Sequence, residues 1–398
     1  MFVFVLNCGS SSFKYQLLDM SNEHRVAIGL VERIGLKDSV LAYEPANGDK
    51  VKEISDIPDH EAAIKLVLNK LVDPKVGVIK SLSDIRAVGH RVVHGAEKFS
   101  GSVLITDAVI DALKENIPLA PLHNPPNITG IKAMMHALPG VPNVGVFDTA
   151  FHATMPAESY IYAVPYEWYE KHHVRRYGFH GTSHRFVSER AAEIMGIAKD
   201  QFNCITCHMG NGSSFTAIKG GKSYDTSMGM TPLEGIVMGT RSGDIDAGIP
   251  KFLADNNGMS FADIDNALNK QSGLFGISGI SSDMRDIEGA AKDGNARAKL
   301  AIDVLRHRVL KYIGAYAIQL GRVDAIIFTG GIGENGIDFR ASVVERLTAL
   351  GIKLDAAANN ARGKEVVIST PDSPIKVMVV PTNEELVIAR DTKDIVSK

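Results

Sequence analysis

The chain opens on an apolar run, Phe2-Val3-Phe4-Val5-Leu6, followed by Asn7-Cys8, the small stretch Gly9-Ser10-Ser11-Ser12 and a second run, Phe13-Lys14-Tyr15-Gln16-Leu17-Leu18. Apolar runs this short, divided by residues without bulky side chains, predict a strand, a tight turn and a returning strand. The same layout returns over residues 203–226, where Ser213-Ser214-Phe215 repeats Ser11-Ser12-Phe13 at an offset of 202 residues. That offset is close to half of a 398-residue chain and predicts two copies of one unit. Two facing copies would enclose a cleft.

Further elements follow from the pattern. Asp59 stands where it would cap a helix running through Val72, with Ala62, Ala63, Leu66 and Val67 at helical spacing. Residues 85–88 read as a short buried strand leading into His90-Arg91-Val92-Val93-His94-Gly95, so Arg91 is expected just beyond a strand end, where α/β folds keep their ligands. The proline-rich residues 118–126 predict a rigid, non-helical loop holding His123 and Asn124. Residues 144–147 form the next buried strand, ended by Asp148, and 149–155 leave it as a loop at the first domain boundary. Residues 27–56 are irregularly polar and predict no element.

In the second half, residues 175–184 precede an amphipathic helix with Phe186, Val187, Ala191 and Ile194 on its apolar face and Gly196 at its end. Residues 228–248 are too rich in glycine for a buried element and too charged for a linker, which marks a functional loop. Asn295 caps a long helix whose seam is Ala298, Ile302, Leu305, Val309, Ile313, Tyr316 and Leu320, and Gly321 stops it. A strand over 325–329 runs into the glycine-rich 330–336. Another strand, 376–380, leads through a turn to a helix opening with Glu384-Glu385, expected to return to the first domain. The expected domains are residues 1–150 plus 386–398, and residues 151–385.

Composition narrows the setting. With 45% hydrophobic residues, the chain can bury two substantial cores. A net charge of -3 gives no reason to expect a nucleic-acid partner. No basic region precedes the first apolar run and no run approaches the ~18 to 20 apolar residues of a membrane span, so a soluble, cytoplasmic protein with no membrane partner is expected. Three cysteines make no disulfide framework, in keeping with a reducing compartment. Cys204 and Cys207 are spaced CxxC, yet on an extended strand they point to opposite faces, which argues against a shared metal or redox bridge.

The backbone N–H groups of the two small-residue turns can approach an anion closely, and a phosphate chain is the natural guest. Gly and Ser also close ordinary surface hairpins; repetition at half-length favours the phosphate. Three other motifs are weaker. Gly331 to Gly336 fits GxGxxG but lacks a following helix at the right place and the preceding half of a dinucleotide fold. Gly221-Lys222-Ser223 would need a glycine at 216 to form a P-loop, and Thr216 stands there. His180 and His184 are four apart without the acid of a zinc HExxH site, and His180 beside a helix N-terminus suits an anion better.

Nine blocks together closely resemble the acetate kinase family: LNCGSSSFK at 6–14, GHRVVHG at 89–95, HNPPN at 123–127, FDTAFH at 147–152, RRYGFHGTSH at 175–184, HMGNGSS at 208–214, MGTRSGDID at 238–246, GGIGEN at 330–335 and TNEEL at 382–386. Met209 and Val387 stand where other aliphatic residues are common. The resemblance implies an α/β fold, the duplicated two-domain actin-like ATPase fold, in which a ribonuclease H-like βββαβαβα core is repeated around a central nucleotide cleft. It implies a homodimer and reversible, Mg2+-dependent (Mn2+ possible), direct in-line phosphoryl transfer between ATP and acetate, giving acetyl phosphate and ADP. The nearest alternative is a kinase for propionate or another short-chain acid. A chaperone or filament protein of the same fold would not need Arg91, His123, His180 and Arg241.

A carboxylic acid of pKa about 4 to 5 is already an anionic nucleophile at pH 7, so the difficulty is charge repulsion and alignment rather than deprotonation. The resemblance implies that Arg91 and Arg241 hold the acceptor and the transferring phosphoryl group, and that His180 steadies the latter. It puts Asp148 at a catalytic acid position, though the chemistry favours orienting an arginine or metal-bound water over removing a proton. Asn7 and Glu384 are implied for magnesium. Ser10, Ser12 and Lys14, with His208, Met209, Gly210, Asn211 and Gly212, are implied along the phosphates. Asp283, Met284 and Arg285, with Gly331, Ile332, Gly333, Glu334 and Asn335, are implied around the nucleotide, placing adenosine on the second domain. Val93, Leu122, Phe179 and Pro232 would line the acyl pocket beside His123.

Overall fold

Each small-residue turn closes an antiparallel hairpin, and each hairpin seeds a sheet. The computed structural model describes all 398 residues. It divides into one unit of Met1–Phe151 with Asn383–Lys398 and a second of His152–Thr382.

In the first unit, β1 (Phe2–Cys8), β2 (Ser12–Asp19), β3 (His24–Glu32), β4 (Ser39–Pro45), β5 (Val51–Ser55), β6 (Ile85–Val92), β7 (Val103–Leu104) and β8 (Asn143–Phe147) lie in the order β5-β4-β3-β2-β1-β6-β8-β7. In the second, β9 (Cys204–Met209), β10 (Ser213–Lys219), β11 (Lys222–Thr226), β12 (Ala325–Thr329), β13 (Val366–Val367) and β14 (Lys376–Val379) lie in the order β11-β10-β9-β12-β14-β13. The shared core is β3-β2-β1-β6-β8 in one and β11-β10-β9-β12-β14 in the other. The first three strands of each core pair antiparallel, and the last two run parallel to the first. Phe13 pairs with Cys8 at the end of β1 and Phe215 with Cys207, two residues short of the end of β9, so each repeated triplet stands at the start of the second strand of its hairpin, with a register two residues apart.

The locally encoded elements form as expected. Asp59 accepts from the Ala62 N–H at the start of the His60–Leu71 helix, and Asn295 accepts from Ala298 at the start of Ala296–Leu320, which Gly321 ends. The seam of that long helix is buried apart from half-buried Ile302. The Glu384–Val396 helix packs on β6, β1 and β8 of the first unit. Gly89 makes that contact possible, since a Cβ there would lie 2.5 Å from Thr392 Oγ1 and 2.6 Å from Ile388 Cγ2. No helix is long and apolar enough to cross a membrane.

Other expectations are corrected. Residues 27–56 hold most of β3 and all of β4 and β5. In β4 the buried positions alternate correctly, but they begin with Ser39, whose hydroxyl is satisfied by the Arg33 and Leu36 carbonyls, while Val40 faces outward; polarity therefore hid the period. Residues 118–126 are not a non-helical loop: Ile117–Leu119 is a 3-10 turn, and Asn124-Pro125-Pro126 is the first turn of the Asn124–Ala137 helix. Proline is tolerated there because first-turn N–H groups have no intrahelical acceptor. β6 continues to Val92, so Arg91 lies within the strand. Part of 149–155 is a 3-10 turn, Ala150–Thr154.

The segment expected to lack a helix is itself one, Gly330–Asn335, followed by Ile337–Val344. Glu334 bends back to accept from the Gly330 N–H at 2.9 Å, filling the vacancy at the helix start. Residues 235–239 of the glycine-rich loop are buried, and Ile194 is exposed while Thr182, Ser183 and His184 are inside.

Candidate active site

In the first unit the parallel strands β6 and β8 bring Arg91 beside Asp148. Arg91 donates from Nε to Oδ1 at 2.9 Å and from Nη2 to Oδ2 at 2.6 Å, and Asp148 is only 1% exposed. The Asp148 N–H is anchored on the Val92 carbonyl at 2.9 Å. Glu384, in the first turn of the C-terminal helix, places Oε2 3.8 Å from Arg91 Nε. Burial opposes the charge on Arg91, but Asp148 and Glu384 outweigh it and raise its pKa above the ordinary value. Burial pushes the neighbouring Glu385 carboxyl up, and Glu384 adds to the effect.

Asn127 fastens this region. Its Oδ1 accepts from the N–H of buried Val93 at 3.0 Å, and its Nδ2 donates to the Cys8 carbonyl at 2.9 Å. The first turn is held by Gly9 N–H on the Ser12 carbonyl and by His60 Nε2 on the Gly9 carbonyl. Ser10 is exposed, Ser12 half-buried, and Lys14 is exposed opposite Asn7 across β1 and β2. His123 immediately precedes the Asn124–Ala137 helix, and Leu122 is 74% exposed.

In the second unit the β9–β10 turn is the centre. His180 sits at φ 57° immediately before the Gly181–Met195 helix. Its ring stacks on His208 with centroids 4.2 Å apart, and its Nδ1 lies 2.8 Å from Ser214 Oγ. Gly212 has no side chain where one would intrude: a Cβ would lie 3.0 Å from Arg241 Nη2 and 3.6 Å from His180 Nε2. Arg241 donates to the Pro232 carbonyl at 2.7 Å, and burial lowers its pKa. Phe179 is buried, and its carbonyl is 2.9 Å from His152 Nε2. Burial pushes His152 down to about 4 and His184 well below its usual value, so both rings are neutral at pH 7.

Next to this turn lies a cavity of about 700 Å³. It brings together Gly210, Asn211, Asp283, Met284, Arg285, Gly331, Ile332 and Asn335. Gly336 completes the wall with Ser282, Glu288 and Arg362, which were not singled out in the sequence. Asp283 caps the Met284–Lys292 helix and pairs with Arg285 Nη2 at 2.6 Å, which lowers its carboxyl to about 2. Gly333, Glu334 and Met209 stand outside that wall. The Gly333 carbonyl accepts from Arg340, Glu334 closes its own helix start, and Met209 is in the core.

Arg340 is fully buried and donates to the carbonyls of Gly333, Asn359 and Ala361 and to Asn359 Oδ1, all at 2.8 to 2.9 Å. Arg362 donates to the Asn335 carbonyl at 2.6 Å. A lone arginine on a helix reads as a solvated charge, so no sequence signal marks this brace.

The model of the acetokinase family matches residues 2–390. An acetate kinase of Halothermothrix orenii is 57% identical over 394 residues, covering 99% of each chain. The crystal structure of Porphyromonas gingivalis acetate kinase superposes with a TM-score of 0.96 at 53% identity, over 99% of both chains. A propionate kinase from Francisella tularensis superposes with a TM-score of 0.92 at 44% identity, again over 99% of both.

Proposed function

The chain belongs to the acetokinase family, and on that premise we propose that it catalyses reversible phosphoryl transfer between ATP and acetate, giving acetyl phosphate and ADP. The observation that carries this reading is one hairpin end. Gly210 and Asn211 line the 700 Å³ cavity, and Gly212, two and one positions further, meets Arg241 and His180. A nucleotide in the cavity would thus direct its phosphates at two cationic or hydrogen-bonding side chains.

Acetate arrives as an anion and attacks in line, so no base is required. Asp148 has both carboxylate oxygens on Arg91 and acts by holding that guanidinium. Arg91 spends Nε and one Nη2 proton on Asp148, which leaves the Nη1–Nη2 edge to grip two oxygens of the acceptor. Val93, Leu122, Phe179 and Pro232 would receive the methyl group, with His123 beside them. Arg241 and His180 would take the charge that develops on the transferring phosphoryl, as donors aimed at where charge appears. Ser10, Ser12 and Lys14 would contact the phosphates from the first turn.

Asn7 and Glu384 offer hard oxygen donors of the kind that suits Mg2+ or Mn2+, which commonly takes one or two protein ligands together with phosphate oxygens and water. These two residues would hold the ion, whose contribution when bound is neutralisation of phosphate charge. The reading extends to a cytoplasmic homodimer, to which exposed Phe252, Phe261 and Ile318 offer apolar surface.

Steady-state ATP turnover with acetate, propionate and butyrate side by side tests the proposal. Acetate should give the highest kcat/KM. Preference for propionate would assign the chain to the alternative acid, and no turnover with any acid would refute the proposal.

A further inference from the structure

Behind His180 lies a line of buried hydroxyls and imidazoles that none of the motifs above explains. Thr206 Oγ1, on β9, is 3.4 Å from the Thr216 carbonyl and 2.7 Å from His184 Nδ1. His184 Nε2 is 2.7 Å from Ser214 Oγ, and Ser214 Oγ is 2.8 Å from His180 Nδ1. Thr206, His184 and Ser214 are each fully buried, so water does not interrupt the series.

The protons in this series can be counted. A carbonyl only accepts, so Thr206 gives its hydroxyl proton to Thr216 and must accept from His184 Nδ1–H. His184 is neutral, because burial holds its pKa well below the usual value, and a neutral ring with hydrogen on Nδ1 has a bare Nε2. Ser214 therefore donates its one proton to His184. The remaining contact, Ser214 to His180, is a hydrogen bond only if His180 carries a proton on Nδ1. Four contacts and four protons then match, with one direction throughout.

We propose that Ser214, oriented by His184 and Thr206, is a positioning residue that locks His180 in the Nδ1–H form and commits Nε2 to the transferring phosphoryl group. This rests on the function proposed above for His180. Donation from Nε2 to a phosphoryl oxygen then requires the doubly protonated ring, and that second proton enters without rearrangement because Nδ1–H already has its acceptor. His208 stacks on this ring, Arg241 faces it across Gly212, and His152 meets His184 edge-on, so rates alone respond to several groups. The nitrogen resonances of His180 report the proton directly.

The test is 15N-edited histidine spectroscopy of the full chain, with rates measured in parallel. Wild-type His180 should show a protonated Nδ1 in its neutral form. Thr206→Val removes the acceptor for His184 Nδ1–H without touching His180. His184 should shift its proton to Nε2, Ser214 should turn its own toward His180, and His180 should invert to the Nε2–H form. Ser214→Ala should abolish the lock and lower kcat on the order of a hundredfold, because His180 then loses its orientation as a donor to the phosphoryl group, with both KM values near wild type. Ser214→Thr should restore tautomer and rate together.

A bare Nδ1 on neutral wild-type His180, or a Thr206→Val protein with an unchanged His180 tautomer, overturns the proposal. So does Ser214→Ala with full kcat. Should the wild type fail to turn over any acid, the function proposed above falls, while the spectra of the same proteins still decide the order of the hydrogen bonds.

Discussion

Arg91 and Asp148 are joined by two hydrogen bonds, 2.9 and 2.6 Å, because β6 and β8 run parallel and adjacent and end side by side. A carboxylate whose two oxygens both face a guanidinium is an anchor for that cation and a poor proton acceptor.

If Asp148 anchors, Asp148→Asn keeps the shape and loses the charge, so kcat should fall about a hundredfold at every pH between roughly 6 and 9. The pH–rate profile should keep its form. An acidic limb that vanishes in the Asn protein would show instead that Asp148 titrates in the reaction.

The two site arginines should separate in stability. Arg91→Ala takes two guanidinium hydrogen bonds from buried Asp148, and breaking a buried pair costs roughly 3 to 5 kcal/mol, so Tm should drop. Arg241 is held by a carbonyl, and Arg241→Ala should melt close to wild type. Both should lose roughly 3 to 4 kcal/mol of transition-state stabilisation, and lysine should rescue poorly because it cannot bridge two oxygens. Near wild-type kcat in Arg241→Ala, or an unaltered melting curve in Arg91→Ala, would contradict these assignments.

Val93 is the expected limit on acyl length, and its backbone is pinned by Asn127. One methylene is worth about 1 to 3 kcal/mol, so wild type should favour acetate modestly over propionate, with butyrate poor. Val93→Ala should narrow the gap chiefly through a lower KM for propionate. An unchanged kcat/KM ratio between the two acids would remove Val93 from the pocket.

Stability should fall with acid well above the carboxylate range. Burial lowers His90 and His152 to about 4 in the native chain, against an ordinary 6.5. Between these values the unfolded chain binds more protons, so the stabilisation is complete above pH 6.5 and is lost as pH falls toward 4, by roughly 3 kcal/mol for each ring. His90→Gln, which can still donate to Asn143 Oδ1, should flatten the dependence of the urea midpoint over that window. Equal midpoints at pH 7 and 4.5 in wild type would refute the assignment.

The sequence by itself determined what short-range chemistry encodes. Asp59, Asn295 and Gly321 act on their own or adjacent turns, the Ala298-to-Leu320 seam follows the helical period, and Ser-Ser-Phe at both hairpins announces the duplication borne out by the five-strand core that the two sheets share. Tertiary structure decided whatever depends on partners far along the chain. Ser39 can be buried in β4 because its hydroxyl also accepts from the Ile57 N–H, and position 330 takes a glycine because the Met209 backbone leaves no room for a side chain there. Asn127, Ser214 and Arg340 look like ordinary polar residues until folding brings them to Cys8, His180 and Asn359. A capping or seam residue carries its reason within a turn or two of chain, whereas a buried polar residue is explained by the acceptor it meets, and only the folded sheets bring the two together.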